Sequence, residues 1–243
     1  MLTIPRVPSA DNLRHHALAL TLGHAPWSAQ YPYQPEVSLR IAHDGSTIFL
    51  EWHIGEDCIR AKALADGGAV WEDSCVEFFL QLPNSTRGLT PPPEICRPFG
   101  ANPTPLPPQP LNSPTPQLPN SPTPYYNIEC NCAGRLLVGY GPDRHHRELL
   151  PAEVMSAIVR QPSLGSEPRP LTDGHCEWTL RLSVPLTTFI YDDLPTLSGV
   201  QARANFYKCG DGLTRPHFLT AFLIHLPKPD FHCPQFFQPI MFE

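Results

Sequence analysis

The sequence predicts an all-β protein: an antiparallel β-sandwich built by a single domain that spans residues 1–243. The first observation is alternation, because several segments place an apolar side chain at every second residue, as a strand with one buried face does. The second is the scarcity of helical periodicity, and the third is the short turns between the alternating segments. Many strands with little helix are typical of a β-sandwich.

The first strands are predicted at 37–43 and 46–54. Asp44-Gly45 between them is a strong hairpin-turn signal, since glycine adopts the backbone conformation that such turns need. The second strand places four large apolar residues on one face, namely Ile48, Leu50, Trp52 and Ile54. We therefore expect Trp52 in the core.

A third strand is predicted at 74–82, followed by strands at 125–130 and 134–140. A Pro-rich segment, residues 84–124, separates the third strand from the next and contains the near-repeat LNSPTPQ and LPNSPTP. Such low-complexity sequence has no apolar periodicity and buries too little to offset the entropy of ordering. We expect a disordered or polyproline-like loop inserted into a hairpin, with a Pro-rich ligand for another domain as the alternative.

Residues 151–159 fit either a short helix or a strand, and the sequence leaves the two open. The next strand, 176–184, alternates cleanly and places Trp178 in its apolar register. In the strand at 201–209, Ala202, Ala204 and Phe206 face inward, which leaves the intervening polar residues on the other face.

Composition limits the possible partners. The net charge of −6 gives no electrostatic reason to expect nucleic acid and argues against an anionic membrane. The N-terminus lacks the apolar run of a secretory signal, and no stretch has the roughly 18–20 apolar residues of a membrane helix. We expect a soluble, cytoplasmic monomer with reduced cysteines, although export by another route is left open.

Five motifs follow one another along the chain: VWEDSCVEFF (70–79), YYNIECN (125–131), ANFYKCGD (204–211), PHFL (216–219) and KPDFHCPQFF (228–237). In this order they resemble bacterial carbohydrate-binding module family 9-like domains, from about Trp27 to Phe242 apart from the insertion. The resemblance implies an immunoglobulin-like β-sandwich that binds a sugar end between tryptophans, without covalent chemistry. It also implies calcium ions as structural supports, and a link to polysaccharide catabolism by family association.

The motifs carry the expected site residues. Sugars stack their C–H faces on aromatic rings, and their hydroxyls pair with charged and amide side chains. We therefore expect a sugar to stack on Trp71, with polar contacts from Glu77, Arg203, Asn205, Tyr207 and His217. No cofactor is required, and calcium as a structural ion would use Asp73 and Asp230.

Structural interpretations stand beside these assignments. Trp71 and Tyr207 could be core residues, and Glu77 could form a cross-strand ion pair with Arg203. Trp27 could line the site or pin the N-terminal segment, and we favour the second. The sequence also departs from the family pattern, because Ala221 stands where the family has a tryptophan. If that tryptophan is a sugar platform, one side of the clamp is lost.

The predicted function is non-catalytic binding of a mono- or oligosaccharide. The alternative is a structural or protein-interaction sandwich that has lost sugar binding. A glycoside-acting hydrolase is the third possibility, with its carboxylates drawn from Glu72, Asp73 and Glu77. Hydrolysis needs two carboxyl groups roughly 5–10 Å apart across a cleft, and carboxylates on one strand do not imply a cleft.

Overall fold

The computed structural model describes residues 1–83 and 123–243, which form two β-sheets packed on a shared apolar core. The predicted β-sandwich is confirmed. Its strands are β1 (Leu2–Ile4), β2 (Leu18–Thr21), β3 (Glu36–His43), β4 (Thr47–Ala61), β5 (Cys75–Gln81), β6 (Tyr125–Asn131), β7 (Leu136–Gly141), β8 (Glu148–Leu149), β9 (Val159–Pro162), β10 (Arg169–Pro185), β11 (Gln201–Cys209), β12 (Phe218–Thr220) and β13 (Gln238–Phe242).

Helices are short. Within residues 1–83 and 123–243, the two α-helices are α1 (Leu13–His16) and α2 (Ala152–Ser156), and the 3₁₀ helices span Ala10–Asn12, Val70–Glu72, Leu186–Thr188 and Pro234–Phe236. Helix α2 buries Met155 and β9 starts three residues after it ends, so the ambiguous segment is mainly helix. Among the described helices, none is long and apolar enough to span a membrane.

The larger sheet has the strand order β1-β13-β11-β5-β6-β7-β8, with β12 also paired to β11. The smaller sheet has the order β2-β3-β4-β10-β9. Among the described strands, all pairs are antiparallel except β1 with β13. The predicted β3–β4 turn is present: the Asp44 carboxylate accepts the backbone N–H groups of Ser46 and Thr47, both at 2.8 Å, and Gly45 has a φ of 102°.

Strands β5 and β6 pair directly, with Leu80 opposite Tyr126. The Pro-rich segment therefore connects two neighbouring antiparallel strands, as expected. Residues 84–122 lie outside the described residues. The expectation that this loop is disordered or polyproline-like, and the role of the loop, therefore remain predictions.

The principal core lies between the sheets. Trp52 and Trp178 are buried in it, as their strand registers predict, and the rings of Phe78 and Phe206 stack with centroids 5.1 Å apart. Ala202 and Ala204 also face this core, which confirms the inward register of β11.

A second apolar cluster covers the opposite face of the larger sheet, and we call it the outer cluster. The loops that precede β3 and β13 supply Trp27, Phe231 and Phe237, which pack on side chains of the sheet. Trp27 is buried and its indole N–H donates to the Leu226 carbonyl at 2.8 Å, so it pins the N-terminal segment as predicted. The complete buried set is Trp27, Val70, Cys75, Phe79, Tyr125, Leu137, Tyr207, Cys209, Ile224, Phe231 and Phe237.

Candidate functional site

A cavity of about 590 Å³ opens beside the outer cluster. Its size falls within the roughly 300–1,000 Å³ of small-molecule sites. Strands β5, β6 and β11 form its floor, and the Val70–Glu72 turn and the 228–232 segment form its walls. The lining residues are Gln30, Tyr31, Trp71, Glu77, Glu129, Arg144, Arg147, Cys209, Asp211, Phe218, Lys228, Pro229, Asp230, Phe231 and His232.

Aromatic rings line part of the cavity. Trp71 lies in the 3₁₀ turn just before β5, partly exposed and packed against the outer cluster. Phe231 stacks on Tyr207 with centroids 4.2 Å apart, so its ring is held in place from below. Tyr31 and Phe218 meet edge to face at 4.8 Å. These contacts fix the aromatic wall before any ligand arrives.

Two carboxylates share the cavity floor. Glu77 of β5 and Glu129 of β6 are opposite in register and are 4% and 2% exposed. Glu129 accepts from Arg147 at 3.0 Å and from Asn127 at 2.9 Å, whereas Glu77 accepts from the Cys209 thiol at 3.0 Å. Burial, and then repulsion from Glu129, raises the pKa of Glu77 well above its usual value.

Further charged groups surround these carboxylates. Arg144 pairs with Asp230 at 2.7 Å. Burial, followed by repulsion from Glu129 and Glu72, raises the pKa of Asp211 to about 6. Burial and the nearby Arg147 and Arg144 lower the pKa of His232 to about 3, so the ring is neutral. The cavity therefore offers both acceptors and donors.

Three predicted site residues line this cavity: Trp71, Glu77 and Asp230. Arg203 does not. Its guanidinium donates to the Phe237 carbonyl at 2.7 and 3.2 Å, and its register partner is Gln81. Glu77 instead lies opposite Tyr207, so the expected contact between Glu77 and Arg203 is wrong. The two share a sheet face but lie at opposite ends of the strands.

Asn205 and Tyr207 are also placed differently from the sugar-contacting positions that we predicted. Both are buried. The Asn205 side-chain amide donates a hydrogen bond to the Phe222 carbonyl and accepts one from the Phe222 backbone N–H. The Tyr207 hydroxyl donates to the Phe231 carbonyl at 3.2 Å. The outer cluster covers this part of β11, so these side chains position the loops that form the cavity and do not line it.

His217 lies in a buried charged network away from the cavity. Its Nε2 atom is 2.8 Å from the Lys208 ammonium, which forms a 2.9 Å ion pair with Glu56, and its Nδ1–H donates to the Arg215 carbonyl. All three networked side chains are buried. The predicted sugar contact of His217 is therefore replaced by a structural one.

Because His217 is buried in this network, we expect the folding stability of the protein to fall as the pH is lowered. Burial, and then the Lys208 charge, lowers the pKa of His217 to about 2 from an ordinary 6.5. Since only the unfolded chain takes up this proton as pH falls below 6.5, we expect the folded state to lose about 1.4 kcal/mol per pH unit from this one group. Urea unfolding at several pH values between 7 and 5 measures that slope.

The matched variant for this test is His217→Gln, which keeps a side chain able to accept from Lys208. The slope of its unfolding free energy against pH should be smaller than that of the wild type by about 1.4 kcal/mol per pH unit. This difference does not depend on how stable the variant is at pH 7. Other charged or titratable groups facing the ring are Lys208, Glu56 and Tyr33. Equal slopes for the two proteins would show that His217 does not resist protonation.

Asp73 is buried with its carboxylate already engaged. It accepts from Arg60 at 2.8 Å, from the Ala63 backbone at 3.0 Å and from Asn131 at 2.9 Å. Asp230 is bound by Arg144 and by the His232 backbone. Calcium needs 6–8 oxygen ligands, and neither set of contacts fits it. The calcium prediction stays untested and gains no support from these two residues.

Sequence reasoning missed Glu129, Arg147 and the aromatic residues contributed by loops. A signal for Glu129 was present, because Asn127, Glu129 and Asn131 occupy alternate positions of β6 and form a polar row. Arg147, Tyr31 and Phe218 lie outside the alternating segments on which the argument rested. Period-two patterns carry no information about which loop folds over a sheet.

The model of carbohydrate-binding family 9 matches residues 10–88 and 117–242, most of the chain. The chain belongs to carbohydrate-binding family 9. The gap between the matched ranges falls within the Pro-rich segment, which is thus an addition to the family 9 domain. No curated protein matches the chain.

The fold is shared with solved structures, among them the two that follow. A crystal structure of a candidate carbohydrate-binding protein from Bacteroides uniformis is 34% identical, with a TM-score of 0.77 over 100% of this chain and 98% of that one. A family 9 module from Caldicellulosiruptor kristjanssonii, in complex with glucose, is 9% identical, with a TM-score of 0.50 over 100% and 95% of the two chains. The second likeness concerns the fold alone.

Ala221, where the family pattern has a tryptophan, packs against the principal core and does not line the cavity. Its backbone N–H donates to the Phe206 carbonyl at 2.9 Å. Ala221 therefore contributes nothing to the aromatic wall around Trp71.

Proposed function

We propose that this family 9 domain binds a mono- or oligosaccharide non-covalently in the cavity beside the outer cluster. The observation that carries the proposal is a partly exposed indole, Trp71, in the same cavity as buried, hydrogen-bonding charged groups. The apolar face of a pyranose would stack on this ring, and Glu77 would accept hydrogen bonds from sugar hydroxyls.

The charges of the cavity favour a neutral ligand. Among the described lining residues, Glu77, Glu129, Asp211 and Asp230 are acidic, and Arg144, Arg147 and Lys228 are basic. With nearly balanced charge, the cavity attracts neither anions nor cations strongly, whereas its many donors and acceptors suit a polyol. A neutral sugar fits this mixture better than a phosphorylated or acidic one.

The positions and partners of the carboxylates favour sugar binding over hydrolysis. Glu72 and Asp73, two of the three candidates for hydrolysis, both bind Arg60, at 3.0 and 2.8 Å. Glu77 and Glu129 are adjacent across one strand pair at the base of the cavity. Hydrolysis places its carboxyl groups on either side of the scissile bond, and a pair on one sheet surface does not.

Trp71→Ala tests the proposal. We expect the affinity for the best-bound sugar to fall at least about tenfold, because stacking and apolar burial on an indole contribute more than about 1.4 kcal/mol. A glycan array would identify that sugar with the wild-type protein, and calorimetry would measure both affinities. The unfolding midpoint of the variant should stay near that of the wild type, since the ring is partly exposed.

Leu171→Ala is the matched control, an exposed apolar side chain on β10 remote from the cavity lining. It should bind the sugar as the wild type does. Equal affinities for wild type and Trp71→Ala would contradict the assigned platform. Failure of the folded wild-type protein to bind any glycan would favour the interaction-module alternative.

A further inference from the structure

A group of metal-ligating side chains lies on the floor of the cavity. The Sγ atoms of Cys75 and Cys209 and a carboxylate oxygen of Glu77 all lie within 4.8 Å of one another. All three residues are buried, and both cysteines are free thiols. Among the described residues, these side chains form the group of three or more His, Cys, Asp or Glu residues whose possible ligand atoms lie this close together.

The sheet itself brings the three ligands together. Cys75 and Cys209 are directly opposite each other on β5 and β11. Glu77 is two residues from Cys75, so both side chains project from the same sheet face. Three ligands on two adjacent central strands form a rigid base, which a metal site needs to select its geometry.

In the described structure, Glu77 forms no salt bridge with a positively charged side chain. Glu77 is 4% exposed, and the hydrogen bond that the described structure gives it comes from the Cys209 thiol at 3.0 Å. Arg147 instead pairs with the neighbouring Glu129. A divalent ion bound between Glu77 and the two sulfur atoms would compensate the negative charge that these buried ligands acquire when they lose their protons.

We propose that Cys75, Cys209 and Glu77 bind a zinc ion whose fourth coordination position faces the cavity. Two sulfur ligands and one carboxylate suit zinc and not calcium or magnesium. Glu77 and Cys209 line the cavity, so the ion has a route in and would be reached by water or by a ligand hydroxyl.

The geometry requires only small adjustments. Ligand atoms around one tetrahedral zinc lie roughly 3.3–3.8 Å apart, given Zn–S of about 2.3 Å and Zn–O of about 2.0–2.2 Å. The ligand atoms lie within 4.8 Å of one another, so no pair has to close by more than about 1.5 Å, which side-chain rotation supplies. Each thiol releases its proton to solvent as its sulfur ligates the ion.

Metal titration of the full chain tests the proposal without any sugar. The reduced, metal-free protein is titrated with Zn²⁺ by calorimetry, and with Co²⁺ while thiolate-to-cobalt charge-transfer absorption is recorded. We expect one ion per chain, the charge-transfer band, and a rise in unfolding temperature with added Zn²⁺.

Cys75→Ala and Cys209→Ala should weaken Zn²⁺ binding at least about 100-fold, since even groups that only orient ligands contribute 10–100-fold. Cys130→Ala is the matched control, a buried thiol on β6 outside the group, and should bind as the wild type does. Glu77→Gln keeps the shape of the side chain and should also lose the ion, which keeps the test valid if a cysteine variant does not fold. No wild-type binding, or equal binding by the Cys75 and Cys130 variants, overturns the proposal.

Discussion

Lys208→Met is expected to destabilise the protein by about 3–5 kcal/mol. Lys208 is fully buried on the inner face of β11, and its ammonium group is 2.9 Å from the Glu56 carboxylate of β4. Removing one partner of a buried ion pair leaves the other charge uncompensated, and this costs more than the pair itself contributes. Glu56 would still accept the hydrogen bond from the Trp178 indole N–H at 2.7 Å, but it would lose its only ammonium partner in the described structure.

A double-mutant cycle separates the buried charge from the lost packing. Lys208→Met combined with Glu56→Gln removes both charges, so the double variant should be more stable than the sum of the two single changes predicts. Urea unfolding of the four proteins measures the coupling. A loss below about 1 kcal/mol for Lys208→Met would show that water reaches the site and that the pair is not buried in solution.

Alternation was sufficient to predict seven strands, which are β3 to β7, β10 and β11, but it gave no signal for the short strands β1, β2, β8, β9, β12 and β13. β11 was placed at 201–209, as the structure has it, and Ala202, Ala204 and Phe206 face the core. Lys208 continues the same register, so the sequence already placed a lysine on an inward face. That position predicts a buried acidic partner, but nothing local identifies Glu56, because the pairing crosses from one sheet to the other.

The outward face was harder to predict. Asn205 and Tyr207 occupy the positions where a half-exposed strand presents polar groups to water, yet both are covered. Their cover comes from a loop about 25 residues later that contains Phe231 and Phe237. Three phenylalanines in the non-alternating motif KPDFHCPQFF indicate a segment that must bury apolar surface somewhere. Where it does so depends on tertiary packing that no strand pattern encodes.

Phe231→Ala is expected to lower both stability and ligand affinity. The ring is buried, stacks on Tyr207 with an interplanar angle of 8°, and contacts Trp27 and Phe218 at centroid distances of 6.0 and 6.1 Å. Truncating a buried phenylalanine typically costs about 3–5 kcal/mol, through lost burial and the void that remains. Denaturant unfolding measures the first effect, and calorimetry on the folded fraction measures the second.

Phe236→Ala is the matched control, because this ring belongs to the same segment but is only partly buried and lines a different cavity. It should cost much less stability and leave sugar affinity unchanged. If Phe231→Ala lost stability but kept full affinity, the outer cluster would support the sheet without shaping the site. Joint loss is the expected result, because the ring that covers Tyr207 is also a wall of the cavity. The covering of the sheet and the formation of the site are then one packing event.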